Sequence, residues 1–123
     1  MKILFFNSRG LASPDKKLAM SRFLLFEPFD ILFLQETLGQ GCVITHLLES
    51  WQPGRTFHAL DATGRSGGLA LGVNNRSIRI YNTWGSLGHL GADIYSSELD
   101  FKLRVINIYG LCHNREDFWS RML

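Results

Sequence analysis

The chain has 123 residues, of which 46% are hydrophobic and 20% are charged, and its formal net charge is +2. This length supports one domain with a buried core and is too short for two, and the hydrophobic content excludes a disordered chain. The small positive charge permits contact with nucleic acid but lacks the dense basic patch of a dedicated nucleic-acid module.

No part of the sequence has the properties of a membrane span or a signal peptide. Apolar runs stay well below the roughly 18 residues of a bilayer-spanning helix, and the opening run ends at Asn7. Cys42 and Cys112 lie far apart and lack the spacing of metal ligands, which favours free thiols in a reducing compartment. We therefore expect an intracellular protein, nuclear or cytoplasmic, that does not contact membranes.

Residues 2–6 and 30–35 are mostly apolar runs typical of buried strands, and they are followed by Asn7 and Glu36 respectively. The first run lacks polar alternation, which predicts a strand covered on both faces. Between the two runs, Ser13 precedes a proline and an aspartate, the favoured order at the start of a helix. A strand–helix–strand unit predicts parallel strands, with Asn7 and Glu36 at the same edge of the sheet.

A second helix is predicted at residues 44–51, because apolar side chains recur there at helical spacing until Pro53 ends the pattern. Short strands separated by turns follow, at residues 56–60, 68–73, 77–83, 94–99 and 101–109. Residues 85–91 are glycine-rich and are predicted to be a flexible connector. A last helix is predicted from about Asn114, so that the chain ends within it.

Glu36 and Asn7 are the first candidates for a functional site. A carboxylate and an amide oxygen at neighbouring strand ends suit a hard cation such as Mg²⁺, and open α/β sheets bind ligands at this edge. The alternative is that Glu36 caps the following turn and Asn7 shapes its own, as short polar side chains commonly do. The residues by themselves leave both interpretations open.

Other patterns carry less chemical information. The glycine-rich segment 64–72 looks like a phosphate loop, but it lacks the required lysine and precedes a strand, so close backbone packing is favoured. Tyr109 ends a strand, where its hydroxyl either contacts a phosphate or an acid, or stays in water. The four histidines lack zinc-ligand spacing, which favours structural or surface roles for them.

Several groups of residues occur in an informative order along the chain. They are residues 7–11 (NSRGL), 30–37 (DILFLQET), 64–69 (GRSGGL) and 107–110 (NIYG), followed by Arg115 with Phe118 and Trp119. Together they resemble the N-terminal half of the endonuclease/exonuclease/phosphatase superfamily, the metal-dependent phosphodiesterases related to apurinic endonucleases and pancreatic deoxyribonuclease. Residues 61–68 and the last two groups look most like the endonuclease domain of plant non-LTR (LINE-type) retrotransposons.

This resemblance implies an α/β fold, namely the N-terminal half of a four-layer α/β-β/α sandwich of the deoxyribonuclease I type, with a β-α-β start and then mostly antiparallel strands. It implies that Glu36 is the principal metal ligand, for Mg²⁺ or Mn²⁺. Asn7 would help to place the metal and the phosphate, and Tyr109 would contact the scissile phosphate. The implied partner is nucleic acid, with DNA favoured by the retrotransposon-like segments. The oligomeric state is left open.

Two later motifs of the superfamily, Gly-Asp-x-Asn and Ser-Asp-His, do not occur in the 123 residues. In the family they supply the groups that orient the attacking water and stabilise the transition state. We therefore expect a single truncated domain over residues 1–123, without the C-terminal half, that is inactive as it stands. The alternatives are a non-catalytic retroelement-derived remnant and a nucleotide- or nucleic-acid-binding α/β module.

Overall fold

A computed structural model describes residues 1–62, 67–86 and 88–109 of the chain. The elements in this part are, in chain order, β1 (Ile3–Asn7), α1 (Pro14–Phe26), β2 (Ile31–Gln35), α2 (Gly41–Trp51), β3 (Arg55–Leu60), β4 (Leu69–Asn74), β5 (Ile78–Ser86), β6 (His89–Ser96) and β7 (Phe101–Ile108). The helix predicted from Asn114 lies outside the described residues, as do Cys112, Arg115, Phe118 and Trp119.

The first sheet has the strand order β1-β2-β4-β3. β1 and β2 are parallel, with Ile3 opposite Ile31 and Asn7 opposite Gln35, whereas β4 is antiparallel to both of its neighbours. α1 makes the crossover between β1 and β2, so the predicted β-α-β unit is confirmed. Asn7 and Glu36 consequently lie at the same edge of the sheet.

Helix α1 begins at the signal in the sequence, and α2 ends at Trp51, two residues before Pro53. Ser13 Oγ accepts a hydrogen bond of 3.2 Å from the backbone N–H three residues on, and proline occupies the first turn. α1 buries Met20 and Leu24, and α2 buries Ile44 and Leu48 of the apolar pattern predicted for residues 44–51. Neither of these helices, which are the ones within the described residues, is long and apolar enough to cross a membrane.

Two apolar cores lie on the two faces of the first sheet. On one face, Leu32 and Leu34 of β2 pack with residues of both helices. On the other face, Ile31 and Phe33 pack against a second, antiparallel sheet with the order β5-β6-β7. Successive side chains of a strand point to opposite faces, which divides β2 between the two cores. The described residues therefore form three layers: helices, a mixed sheet and an antiparallel sheet.

The flexible connector predicted at residues 85–91 is wrong, because β5 and β6 pair as a hairpin there. A Cβ atom at Gly91 would lie 2.5 Å from the ring of Trp84. One at Gly85 would lie 2.7 Å from the side chain of Leu60. Glycine in these strands therefore permits close packing of large side chains and does not indicate flexibility.

The prediction that β1 is covered on both faces is also wrong. β1 is an edge strand of the first sheet, and its side chains Ile3 and Phe5 are 50% and 59% exposed. Leu4 packs at the margin of the helix-side core, and Phe6 contacts the ring of Phe23 on α1. An uninterrupted apolar run is thus compatible with an edge strand that is only partly covered.

Candidate active site

Glu36 follows β2 directly and leaves the sheet in the left-handed backbone conformation, with φ of +55°. This conformation costs a non-glycine residue on the order of 1–2 kcal/mol, so the surrounding backbone must hold it. Gly10 N donates a hydrogen bond of 2.6 Å to the Glu36 carbonyl, and Ser8 Oγ donates one of 3.0 Å to the same oxygen. The turn after β1 therefore fixes the backbone of the predicted metal ligand.

Gly67 and Gly68 hold the same backbone from the other side. The N–H of Leu38 donates to the Gly67 carbonyl at 2.7 Å, and the N–H of Thr37 donates to the Gly68 carbonyl at 3.4 Å. A Cβ atom at Gly67 would lie only 2.5 Å from the Cα atom of Glu36. The glycine pair thus serves close backbone packing, as interpreted from the sequence, while residues 63–66 of the same segment lie outside the described residues.

Tyr109, at the end of the second sheet, contacts Glu36. Its hydroxyl donates a hydrogen bond of 2.7 Å to Oε1 of Glu36 in a partly buried position. The N–H of Tyr109 donates to the Gly88 carbonyl at 2.8 Å, which extends the β6–β7 pairing past the last residue of β7. Two of the three residues predicted from the sequence to form the site are therefore in direct contact.

Two amide side chains beside this contact were not predicted. Nε2 of Gln35 donates to the carbonyl at the end of β7 at 2.8 Å and to Oδ1 of Asn107 at 3.2 Å. Asn107 is fully buried, and its Nδ2 donates to the carbonyls of Leu34 at 3.0 Å and Ala70 at 3.2 Å. The signal in the sequence was a polar residue within an apolar strand, two positions before a candidate tyrosine.

Asn7 lies opposite Gln35 in the register of β1 and β2, so it borders the same edge of the sheet. Its Oδ1 accepts a hydrogen bond of 3.1 Å from the N–H of Arg9, which is the turn-shaping role considered as the alternative. The side chain is exposed. The structure therefore gives Asn7 a local structural role and leaves it accessible to a ligand.

The donors at this edge fit a hard cation held by a single carboxylate. Glu36 supplies a charged oxygen and Asn7 an exposed amide, and Mg²⁺ characteristically binds one or two carboxylates while keeping several waters. Across residues 1–62, 67–86 and 88–109, no three side chains of His, Cys, Asp or Glu cluster as metal ligands. We do not assign the carboxylate of Asp61 to the cation, because it accepts a hydrogen bond from the N–H of Gly41 at the start of α2.

A β-α-β start, a mixed sheet, an antiparallel second sheet and a carboxylate at the strand ends define an α/β sandwich of the deoxyribonuclease I type. No protein-family model and no curated protein matches the sequence. Solved structures do match it. TDP2 of D. rerio in complex with a single-strand DNA product superposes with a TM-score of 0.71 at 14% identity, over 99% of this chain and 52% of that chain.

Two further solved structures share the fold. The AP endonuclease LMAP from Leishmania major has a TM-score of 0.64 at 19% identity, over 89% of this chain and 40% of that chain. The endonuclease/exonuclease/phosphatase from Bacteroides vulgatus has a TM-score of 0.66 at 13% identity, over 96% of this chain and 57% of that chain. The expected fold is therefore confirmed, and the chain spans about half the length of the solved structures that it matches.

Proposed function

We propose that the chain is the metal-binding half of a Mg²⁺-dependent phosphodiesterase that acts on nucleic acid. The observation that supports this most strongly is the contact between Tyr109 and Glu36 at the carboxyl edge of the parallel strands β1 and β2. Open α/β sheets bind their ligands at this edge. Among the proteins with the same fold are one named as an AP endonuclease and one solved with a single-strand DNA product.

In this proposal Glu36 holds Mg²⁺, for which Mn²⁺ can substitute, and the exposed amide of Asn7 helps to place the metal and the phosphate. A cation bound there would act as a Lewis acid that neutralises the charge of the phosphodiester. Tyr109 orients the carboxylate of Glu36 through its hydroxyl. By the family resemblance, the same tyrosine contacts the scissile phosphate.

We also propose that the 123 residues on their own do not hydrolyse the substrate at a detectable rate. General acid–base help typically contributes ~10² to 10⁴-fold, and the positioning of the attacking water adds to this. The family motifs that supply these groups do not occur in the sequence.

The finer resemblance to plant LINE-type retrotransposon endonucleases makes DNA the favoured substrate. It rests on the sequence of residues 61–68 and 107–110 and on Arg115 with Phe118 and Trp119. A retroelement origin is also consistent with a nuclear or cytoplasmic location, where such a protein would meet its nucleic acid.

The proposal is tested by measuring the binding of a fluorescent single-stranded DNA to the full chain, with and without Mn²⁺, for the wild type and Glu36→Gln. We expect Mn²⁺ to strengthen DNA binding in the wild type and to have no effect in the variant. Glu49→Gln is a matched control, because Glu49 is an exposed glutamate on α2. Plasmid nicking is measured in the same samples and is expected to be absent.

Each outcome of this experiment has a distinct meaning. DNA binding that depends on neither Mn²⁺ nor Glu36 would favour the nucleic-acid-binding module. Absence of both DNA and Mn²⁺ binding would favour a non-catalytic remnant. Nicking that needs both Mg²⁺ and Glu36 would support the phosphodiesterase and contradict the proposed inactivity of the 123 residues.

A further inference from the structure

We propose that Gln35 and Asn107 are positioning residues that set the contact between Tyr109 and Glu36, and thereby the affinity of this edge for a divalent cation. The part that concerns the Tyr109–Glu36 contact stands on the geometry of the chain alone. The part that concerns the cation rests on the proposed function. Neither Gln35 nor Asn107 is assigned to touch the metal or the substrate.

The two amides form a directed chain of hydrogen bonds between the sheets. Asn107 uses its two N–H donors on the carbonyls of Leu34 and Ala70, which face each other in the pairing of β2 with β4. Its carbonyl oxygen accepts from Nε2 of Gln35 at 3.2 Å. Both donors and the acceptor of this buried amide are thus in use, and only one orientation of the Asn107 side chain allows this.

The chain of hydrogen bonds ends at the neighbours of the two site residues. Gln35 immediately precedes Glu36, and its remaining N–H donates to the carbonyl of Ile108 at 2.8 Å. Ile108 immediately precedes Tyr109. A single hydrogen bond between Gln35 and Ile108 therefore links the last residue of β2 to the last residue of β7. Each of these two residues directly precedes one of the site residues.

The other contacts between the two sheets are largely apolar. Side chains such as Phe33 and Leu71 of the first sheet pack against Leu90 and Ala92 of the second. Apolar packing is not directional, so it holds the sheets together without fixing the ends of β2 and β7 relative to each other. An O–H···O hydrogen bond needs a separation of about 2.5–3.0 Å, and the two amides supply the directional contacts that keep Tyr109 within this range.

The first test concerns the positioning alone and needs no metal. Gln35→Met keeps the length of the side chain and removes its N–H donors. In the full chain with ¹³C-labelled tyrosine, the NMR resonance of the Tyr109 ring is identified by its loss in Tyr109→Phe. We expect Gln35→Met to move this resonance towards that of a phenol in water, and to leave those of Tyr81 and Tyr95 in place.

A matched control separates positioning from a general loss of stability. Ile44→Val removes one methylene from a buried residue of the core on the other face of the first sheet, which Tyr109 does not line. We expect it to leave the Tyr109 resonance unchanged even though it destabilises the fold. If Gln35→Met fails to fold, Gln35→Ala gives the same readout, because it leaves room for water at the Ile108 carbonyl.

The second test is a double-mutant cycle on Mn²⁺ affinity. Gln35→Met is expected to weaken Mn²⁺ binding about tenfold, as is typical for partners that orient a metal ligand. Added to Tyr109→Phe, it is expected to cause no further loss, because it acts through Tyr109. An unchanged Tyr109 resonance, or additive losses of affinity, would overturn the positioning role. A shifted resonance in a chain whose wild type binds no Mn²⁺ would instead overturn the proposed function.

Discussion

The hydroxyl of Tyr109 donates a hydrogen bond of 2.7 Å to the carboxylate of Glu36, which lies 73 positions earlier in the chain. Each residue follows the last residue of its strand, β7 for Tyr109 and β2 for Glu36. The two strands belong to different sheets. The contact therefore forms only when both sheets are folded and correctly packed. The candidate site depends on the packing of the two sheets.

Tyr109→Phe is predicted to weaken Mn²⁺ binding about tenfold, because the carboxylate of Glu36 loses the group that orients it. The measurement is an Mn²⁺ titration followed by electron paramagnetic resonance. Tyr95→Phe is the matched control, since Tyr95 also donates to a carboxylate, that of Asp100, on the second sheet. Equal affinities of wild type and Tyr109→Phe would show that the hydroxyl has no role in metal binding.

Gly67→Ala is predicted to destabilise the fold by about 1–3 kcal/mol, because its Cβ would collide with the backbone of Glu36. It should also impair Mn²⁺ binding by displacing the carboxylate. Gly54→Ala provides the comparison, because Gly54 has φ of +85° but no atom within 4 Å of an added Cβ. Its cost is therefore conformational alone, and its Mn²⁺ affinity should equal that of the wild type. Urea denaturation and Mn²⁺ titration measure the two effects.

The start of the fold could be predicted from the sequence because it depends on neighbouring residues. Ser13 and the proline after it specify the start of α1, and the helical crossover makes β1 and β2 parallel. This places Asn7 and Glu36 at one edge before any side-chain contact is known. The prediction of Glu36 as the key carboxylate therefore needed only local patterns and the family resemblance.

The rest of the site could not be predicted because it depends on how the two sheets pack. Nothing near Tyr109 in the sequence specifies its partner, and Asn107 is recognisable as a buried hydrogen-bonding residue only once Leu34 and Ala70 are seen beside it. The packing roles of Gly85 and Gly91 could not be predicted for the same reason. The large side chains that require them come from other strands or from across the hairpin.

The stability of the fold is predicted to depend on pH through Asp30. Burial alone would raise the pKa of this carboxyl group, but hydrogen bonds from Ser77 Oγ at 2.5 Å and Lys2 N at 2.7 Å outweigh it. With the N-terminal charge and Arg55, they lower the pKa below its ordinary 3.8. The stabilisation is therefore present above the unfolded-state pKa and is lost as the pH falls through the lower folded-state value.

Urea denaturation at a series of pH values between about 2 and 6 measures this effect. Wild type is expected to lose its stability advantage over Asp30→Asn as the solution becomes more acidic. Glu49→Gln, which removes an exposed carboxylate on α2, should follow the wild-type curve. Parallel curves for wild type and Asp30→Asn would contradict the role assigned to Asp30.

Within the described residues β1 is an edge strand of the first sheet, and this edge is predicted to cause self-association at high protein concentration. An edge strand with apolar side chains offers unpaired backbone groups to another chain, and a lysine on such a strand opposes this. Ile3→Lys should therefore reduce light scattering of concentrated samples. Leu25→Lys, on α1 at a residue that is 70% exposed, should have little effect. If both substitutions reduced light scattering equally, the self-association would come from exposed apolar side chains in general and not from the edge of β1.

The binding of Mn²⁺ to the full chain, measured by electron paramagnetic resonance for the wild type and Glu36→Gln, tests the metal site most directly. We predict that the wild type binds Mn²⁺, that Mg²⁺ displaces it, and that Glu36→Gln abolishes the binding. Equal Mn²⁺ binding by wild type and Glu36→Gln, or no binding by the wild type, would contradict the assignment of Glu36 as the metal ligand.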